Sequence, residues 1–432
     1  MNLDIRNNTL YFGGINTVEL AKKYNTPLYI IDEGILTDKI RDLKENFLNK
    51  YDNVKVLYAS KAFLNTAICK IIKKEGIGLD VVSKGELYTA LNANMSPDDI
   101  IFHGNNKSID ELQMAIDNNV SRIIVDSMDE LEDIIYLTNK LQKSTDIMFR
   151  ITPDVRGKTH DYISTGQKDS KFGIPLEFII EACKTAINSE YVNLKGLHFH
   201  TGSQLFSNES HLKALRVAFS IIEDLKNETK YIIEELNVGG GFGVFYSDDD
   251  KEMDFTHFTD EIMELCEELA NELEIKRPKI MIEPGRWIIS KAGITLYEIG
   301  NIKDIKGIRK YASVDGGITD NIRPALYNAS YTCMISNKAY EESVEKVTIC
   351  GKCCESGDVI IKDAKLPKVE KGDILTVFST GAYNESMSSN YNKLLRPAVV
   401  MLKDSKDYLI KRREELKDLV SRDLVPDFLQ DI

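Results

Sequence analysis

Val54-Lys55-Val56-Leu57-Tyr58-Ala59 is a short apolar run that breaks off at Ser60-Lys61. Seven more such runs follow, at 77–82, 100–102, 122–125, 147–151, 194–199, 235–238 and 280–282. Between them lie stretches with apolar residues at helical spacing, for example 109–116 and 130–141. The first five runs recur about every 20 to 25 residues, and such alternation predicts a parallel sheet built from βα units. Eight units that close on themselves make a (β/α)8 TIM barrel, and a doubly wound open sheet is the alternative arrangement.

The residues that follow the runs support the barrel. They are Ser60-Lys61, Ser83-Lys84-Gly85, His103-Gly104-Asn105, Asp126-Ser127, Arg150, His200-Thr201-Gly202-Ser203, Gly239-Gly240-Gly241 and Glu283-Pro284-Gly285-Arg286. A barrel gathers its active site at the C-terminal ends of its strands, where these polar and glycine residues fall. We place this α/β barrel at 35–285. After it come closely spaced β-like segments at 294–299, 312–314, 347–350 and 374–378. With 10–12 and 28–31 they suggest a β-rich domain of Greek-key barrel or sandwich type, made from 1–34 and 286–432. Residues 408–419 read as a charged amphipathic helix, and 159–173 as a polar, mobile loop. There is no internal repeat and no low-complexity tract.

The 432 residues hold a barrel, which takes about 250, plus a smaller domain. With 55 basic and 68 acidic residues the net charge is −13, the wrong sign for neutralising nucleic-acid phosphates. At 43% apolar and 28% charged, the composition is that of a globular protein. The N-terminus lacks a signal-peptide layout, and no apolar run approaches the roughly 18 residues of a membrane helix. Seven scattered cysteines argue for reduced thiols rather than a disulfide framework. A cytoplasmic protein is expected.

Lys61, at the mouth of the barrel, can form a Schiff base; a solvated loop lysine is the alternative. Gly239-Gly240-Gly241-Phe242-Gly243 offers unhindered backbone N–H groups for a phosphate late in the barrel, or it is merely a tight turn. Glu283 and Arg286 suit a cofactor ring nitrogen and an anionic group, or they form a structural ion pair. His198-Phe199-His200 puts two imidazoles on one strand face and invites a zinc reading, but that needs further His and Asp ligands. Cys350-Gly351-Lys352-Cys353 has no second Cys-x-x-Cys to complete a zinc site. It leaves one reactive thiol beside an acid, or an inert packed cysteine.

Taken together, Tyr58-Ala59-Ser60-Lys61-Ala62, His200-Thr201-Gly202-Ser203-Gln204, the glycine run, Glu283-Pro284-Gly285-Arg286, Cys354-Glu355-Ser356-Gly357-Asp358 and Gly381-Ala382-Tyr383 resemble the fold-type III pyridoxal-phosphate decarboxylases nearly end to end. Arg323-Pro324-Ala325-Leu326-Tyr327 and Ser386-Met387-Ser388-Ser389-Asn390-Tyr391-Asn392 are similar to the branch that acts on diaminopimelate rather than on ornithine or arginine. Phe63 departs from the asparagine common after the lysine motif.

The resemblance implies decarboxylation of meso-2,6-diaminopimelate to L-lysine and CO2, with pyridoxal 5′-phosphate on Lys61 and no metal. It places His200 on the cofactor ring and Ser203 and Gly241 at the phosphate, with Gly285 and Arg286 beside them. Glu283 falls at the pyridine nitrogen, where the sibling alanine racemases carry arginine. Arg286, Arg323 and Tyr327 would bind the distal carboxylate, Glu355 the distal ammonium, and Tyr383 both cofactor and substrate. Cys354 would reprotonate the carbon from a loop supplied by the partner of a homodimer.

Overall fold

The structure, a computed structural model, describes residues 2–155, 170–246 and 255–429. It divides into two compact units, Thr37–Ile289 and Met1–Leu36 with Ser290–Ile432. Most of the loop expected at 159–173 lies outside the described residues.

The first unit is a closed eight-stranded barrel. Its strands are β1 (Val54–Ala59), β2 (Gly78–Val81), β3 (Ile100–Phe102), β4 (Arg122–Val125), β5 (Thr145–Arg150), β6 (Val192–His198), β7 (Glu235–Asn237) and β8 (Lys279–Ile282). They follow the runs read from the sequence to within a residue or two. Each strand pairs parallel with the next, and β8 returns to β1 through Ile280 opposite Val54. That closure excludes the open sheet. Leu57, Ile101, Ile124, Met148 and Met281, from five different strands, meet in one buried cluster, as the side-chain layers of a barrel interior do.

Local chemistry sets the lengths of the rim loops. Ser83 and Ser127 are not reactive groups but N-caps, their hydroxyls accepting from the Glu86 and Glu130 N–H groups. Ser108 forms a capping box with Glu111. Each cap satisfies an otherwise orphaned helix N–H and starts a helix soon after a strand ends. At the opposite end of the barrel Arg122 makes a two-pronged contact with Glu235, at 2.7 and 2.9 Å, and reaches Asp146 at 2.9 Å. Lys279 adds a contact to Glu235 at 3.1 Å.

The second unit is mostly sheet. Gly293–Ile305 pairs antiparallel with Leu28–Asp32, Ile374–Phe378 and Arg309–Val314, so the early strand joins the late ones. Leu10, Phe12, Leu28, Ile30, Leu296 and Val400 share its core. The helix expected at 408–419 is instead the strand Lys406–Lys411, followed by a short helix, Leu416–Val420. Asp404 and Ser405, at φ +50° and +55°, turn the chain back so that Lys406–Lys411 pairs with Ala398–Lys403. Two consecutive positive φ values make a hairpin turn, which overrides helical charge spacing. Among the described residues no helix is long and apolar enough to cross a membrane.

Candidate active site

Lys61 sits exposed in the turn Ser60–Ala62 directly after β1. Gly285 packs against that turn: a Cβ there would stand 2.9 Å from the Ala59 Cβ and 3.2 Å from that of Ala62. Phe63, the departure from the family motif, is a core residue, with its carbonyl accepting from the Tyr58 hydroxyl at 2.8 Å.

Glu283, just past β8, is the most heavily bonded acid at the rim. Its Oε1 accepts from Asn237 Nδ2 at 2.6 Å and lies 2.8 Å from His103 Nε2, while Oε2 lies 3.4 Å from His198 Nε2. Burial alone would raise its pKa, but the two histidines hold it well below the ordinary carboxylate value. Burial pushes His198 down to about 4. His103 is buried too, yet Asp80, 3.8 Å away, and Glu283 hold its pKa above the usual histidine value. The ligand atoms of His103, His198 and Glu283 lie within 4.8 Å of one another, a closeness that these hydrogen bonds account for. The zinc reading had paired His198 with His200, but β6 ends at His198. Strand alternation therefore does not carry to His200, and His198 meets His103 instead, edge to face with centroids 4.7 Å apart.

The glycine run is a packing device as well as a loop. A Cβ on Gly239 would come within 2.5 Å of the Phe199 carbonyl oxygen, and one on Gly240 or Gly241 would strike the Glu283 or Gly202 carbonyl closer still. Two of the three N–H groups are already engaged: Gly239 donates to Asn237 Oδ1 at 3.0 Å and Gly240 to His200 Nδ1 at 3.2 Å. The Gly243 N–H donates to the Leu205 carbonyl at 3.0 Å, so within the described residues the row of donors expected from 239–243 reduces to the N–H groups of Gly241 and Phe242. Gly240 is gripped from behind, its carbonyl 3.0 Å from His211 Nε2. His200 is held well below the ordinary histidine pKa, first by burial and then by the Lys61 charge. Arg286, buried, donates to Ser203 Oγ at 3.0 Å and to the Tyr246 hydroxyl at 3.2 Å.

These residues fit pyridoxal phosphate. A lysine, an anionic carboxylate, a neutral imidazole and a donor group of Ser203, Gly241 and Arg286 share one barrel rim. The buried Ser60 Oγ and His198 Nδ1 have no hydrogen-bond partner among the described residues.

In the sheet unit Arg323 is buried, with its guanidinium donating to the Tyr331 hydroxyl at 2.7 Å and lying 5.7 Å from the Tyr383 ring. Tyr327 ends the same short helix, Arg323–Tyr327. Cys354 and Glu355 stand exposed on a loop organised by Asp358, which accepts from the Cys353 and Ile318 N–H groups, each at 2.8 Å. The adjacent thiols differ: Cys353 is buried and pushed up to about 11, by burial and then by Asp358, whereas Cys354 is open. Unassigned from sequence were His103, Asn237, Asp80, Tyr246 and His211. The available signal was a polar residue closing an apolar strand, as Asn237 and His198 do.

Residues 37–290 match the family described as "Pyridoxal-dependent decarboxylase, pyridoxal binding domain". Barrel and rim thus define a pyridoxal-dependent decarboxylase class. The diaminopimelate decarboxylase of Bacillus methanolicus is 43% identical over 94% of this chain and 95% of its own, and that of Bacillus subtilis 42% over 96% and 95%. The crystal structure of diaminopimelate decarboxylase from M. jannaschii in co-complex with L-lysine superposes with a TM-score of 0.92 at 36% identity, covering 99% of both chains. This chain belongs to the diaminopimelate decarboxylase family.

Proposed function

We propose that this protein removes CO2 from the D-centre of meso-2,6-diaminopimelate to give L-lysine, using pyridoxal 5′-phosphate, as a cytoplasmic homodimer. The observation that carries the reading is Glu283, a buried carboxylate kept ionised at a barrel rim, in a chain whose relatives are diaminopimelate decarboxylases. When bound, the cofactor supplies the sink for the electron pair left behind by departing CO2.

The chain's own residues do the rest. Lys61 would hold the cofactor's aldehyde carbon, His200 would lie on the ring face, and Ser203 and Gly241, with Gly285 and Arg286 beside them, would hold the phosphate. A neutral His200 can lie on that face without adding a positive charge to it. Glu283 would keep a proton on the ring nitrogen, because an anion there favours the charged form. Arg286, Arg323 and Tyr327 would bind the distal carboxylate, and Glu355 the distal ammonium. Tyr383 would contact cofactor and substrate. Ornithine lacks the distal carboxylate and would leave those arginines unpaired, which penalises it. Cys354 would return the proton to the carbon from which CO2 left. Its exposed loop suits delivery to a partner subunit, and seven free thiols suit a reducing compartment.

The test is lysine and CO2 formation from meso-diaminopimelate with added pyridoxal phosphate, run beside ornithine, arginine and carboxynorspermidine. Selective turnover of diaminopimelate is expected, and Arg323→Ala should raise its KM by roughly tenfold or more, the scale of a lost charged hydrogen bond. Turnover of another member of the panel in preference would overturn the substrate assignment.

A further inference from the structure

We infer that His103 is a positioning residue for the reaction: its imidazole bridges Asp80 and Glu283 and holds the Glu283 carboxylate in place and ionised beside the cofactor's ring nitrogen. The inference rests on the proposed decarboxylase reading and deepens it, since His103 belongs to none of the motifs that carry the family resemblance.

The geometry is that of a clamp. Nε2 of His103 lies 2.8 Å from Glu283 Oε1 and 3.8 Å from Asp80 Oδ1. His103, Asp80 and Glu283 are 4%, 3% and 7% exposed, so bulk solvent screens the group weakly. Asn237 fixes the same carboxylate oxygen from β7 at 2.6 Å, and His198 approaches the other from β6 at 3.4 Å.

The charges facing His103 are Asp80 on β2, Glu283 after β8, Arg150 at the end of β5 and Glu86 in the helix that follows β2, which burial pushes up to about 7; His198 on β6 also faces it, and Lys61 acts on Asp80 and Glu86. Two buried acids therefore flank one imidazole, and both favour a proton on His103, whose pKa they hold above the usual histidine value. A second imidazolium at His198, with ring centroids 4.7 Å apart, would oppose the first. Without the His103 charge, Glu283 would be an anion buried near Asp80, and proton uptake would be its cheapest relief. A protonated Glu283 no longer stabilises a charged ring nitrogen.

The experiment compares pyridoxal phosphate affinity of the wild-type chain, His103→Leu and His103→Gln at pH 8 and pH 6. Leucine removes donor and charge, whereas glutamine keeps a donor near the Nε2 position. Relative to wild type, the His103→Leu loss should grow by about tenfold from pH 8 to pH 6 as Glu283 takes up a proton. His103→Gln should recover most of the affinity at pH 8 and keep the acid-side loss. A loss of equal size at both pH values would mean that His103 only packs, and would overturn the inference. Should the leucine variant not fold, imidazole NMR of the cofactor-free wild-type and Glu283→Gln chains decides. His103 should titrate above the ordinary histidine value in the first and fall in the second, and an unmoved His103 would overturn the clamp. Failure of the wild-type chain to bind pyridoxal phosphate at all would sink the functional reading instead.

Discussion

The two ends of the barrel carry the same kinds of residue and use them in opposite ways. At the end where the strands begin, Arg122, Glu235, Asp146 and Lys279 neutralise one another. Burial works against both charges, yet pairing wins: the Glu235 pKa is lowered and that of Arg122 raised. At the rim the balance is broken. Asp80 is raised and Glu283 lowered; one histidine is raised while His198 falls to about 4. Burial also lowers Arg150 and pushes Glu86 up to about 7. Opposed shifts among neighbouring groups separate proton donors from acceptors, which supports the proposal that the reaction takes place at this end. The other end closes the barrel.

The sharpest break of that contrast is Lys61→Ala. It should lower turnover of diaminopimelate by more than about 10³-fold, the scale of removing a covalent catalytic group. The fold should survive, because Lys61 is exposed. Near-normal turnover in this variant would show that the rim's unbalanced charges serve something other than a lysine-held cofactor.

Next in size is the requirement for a partner, which the rim should have and the opposite end should not. Cys354→Ala should cost about 10²-fold or more in kcat, within the range of general acid catalysis. Mixing it with Lys61→Ala distinguishes the source of the loop. In a mixed dimer whose loops cross over, one site regains both Lys61 and Cys354, so activity returns that neither variant has alone. If each loop served its own barrel, no mixture would recover.

How much of this could be read from the sequence follows from what each feature depends on. The eight strands were legible because each is a short apolar run bounded by polar residues, a pattern that parallel strands buried on both faces require. Lys61, Glu283 and the glycines were legible because each follows a strand at once. His103 is also a post-strand residue, but its role lies in a contact with Glu283, which is far away in sequence. The engagement of the Gly240 N–H by His200, 40 residues away, was hidden for the same reason. At 406–411 the error was of another kind: charged residues at helical spacing concealed a hairpin set by the two backbone angles at Asp404 and Ser405. Local pattern thus gave elements and rim residues, while pairings across the barrel needed coordinates.

The smallest effect on activity should come from Glu235→Gln, which tests the opposite end directly. Its carboxylate is 4% exposed and the Arg122 side chain 16%, so removing the anion leaves a partly buried guanidinium with Asp146 as its remaining acid partner among the described residues. The cost should be about 3 kcal/mol, the lower end for breaking a buried pair, because glutamine can still accept a hydrogen bond. The sign with pH follows from the lowered pKa. Stability from an ionised Glu235 is present above the ordinary carboxylate value and is lost as the pH falls through its lower folded value. The gap between wild type and variant should therefore be full at pH 7 and close progressively below about pH 4. Trp287, the chain's single tryptophan, lies buried in the barrel unit, so urea unfolding followed by its fluorescence reports on this unit. Unchanged kcat with reduced stability at neutral pH would separate the structural end from the chemical one. A fall in kcat as large as that of a rim variant would show that the two ends are coupled, and the contrast between them would fail.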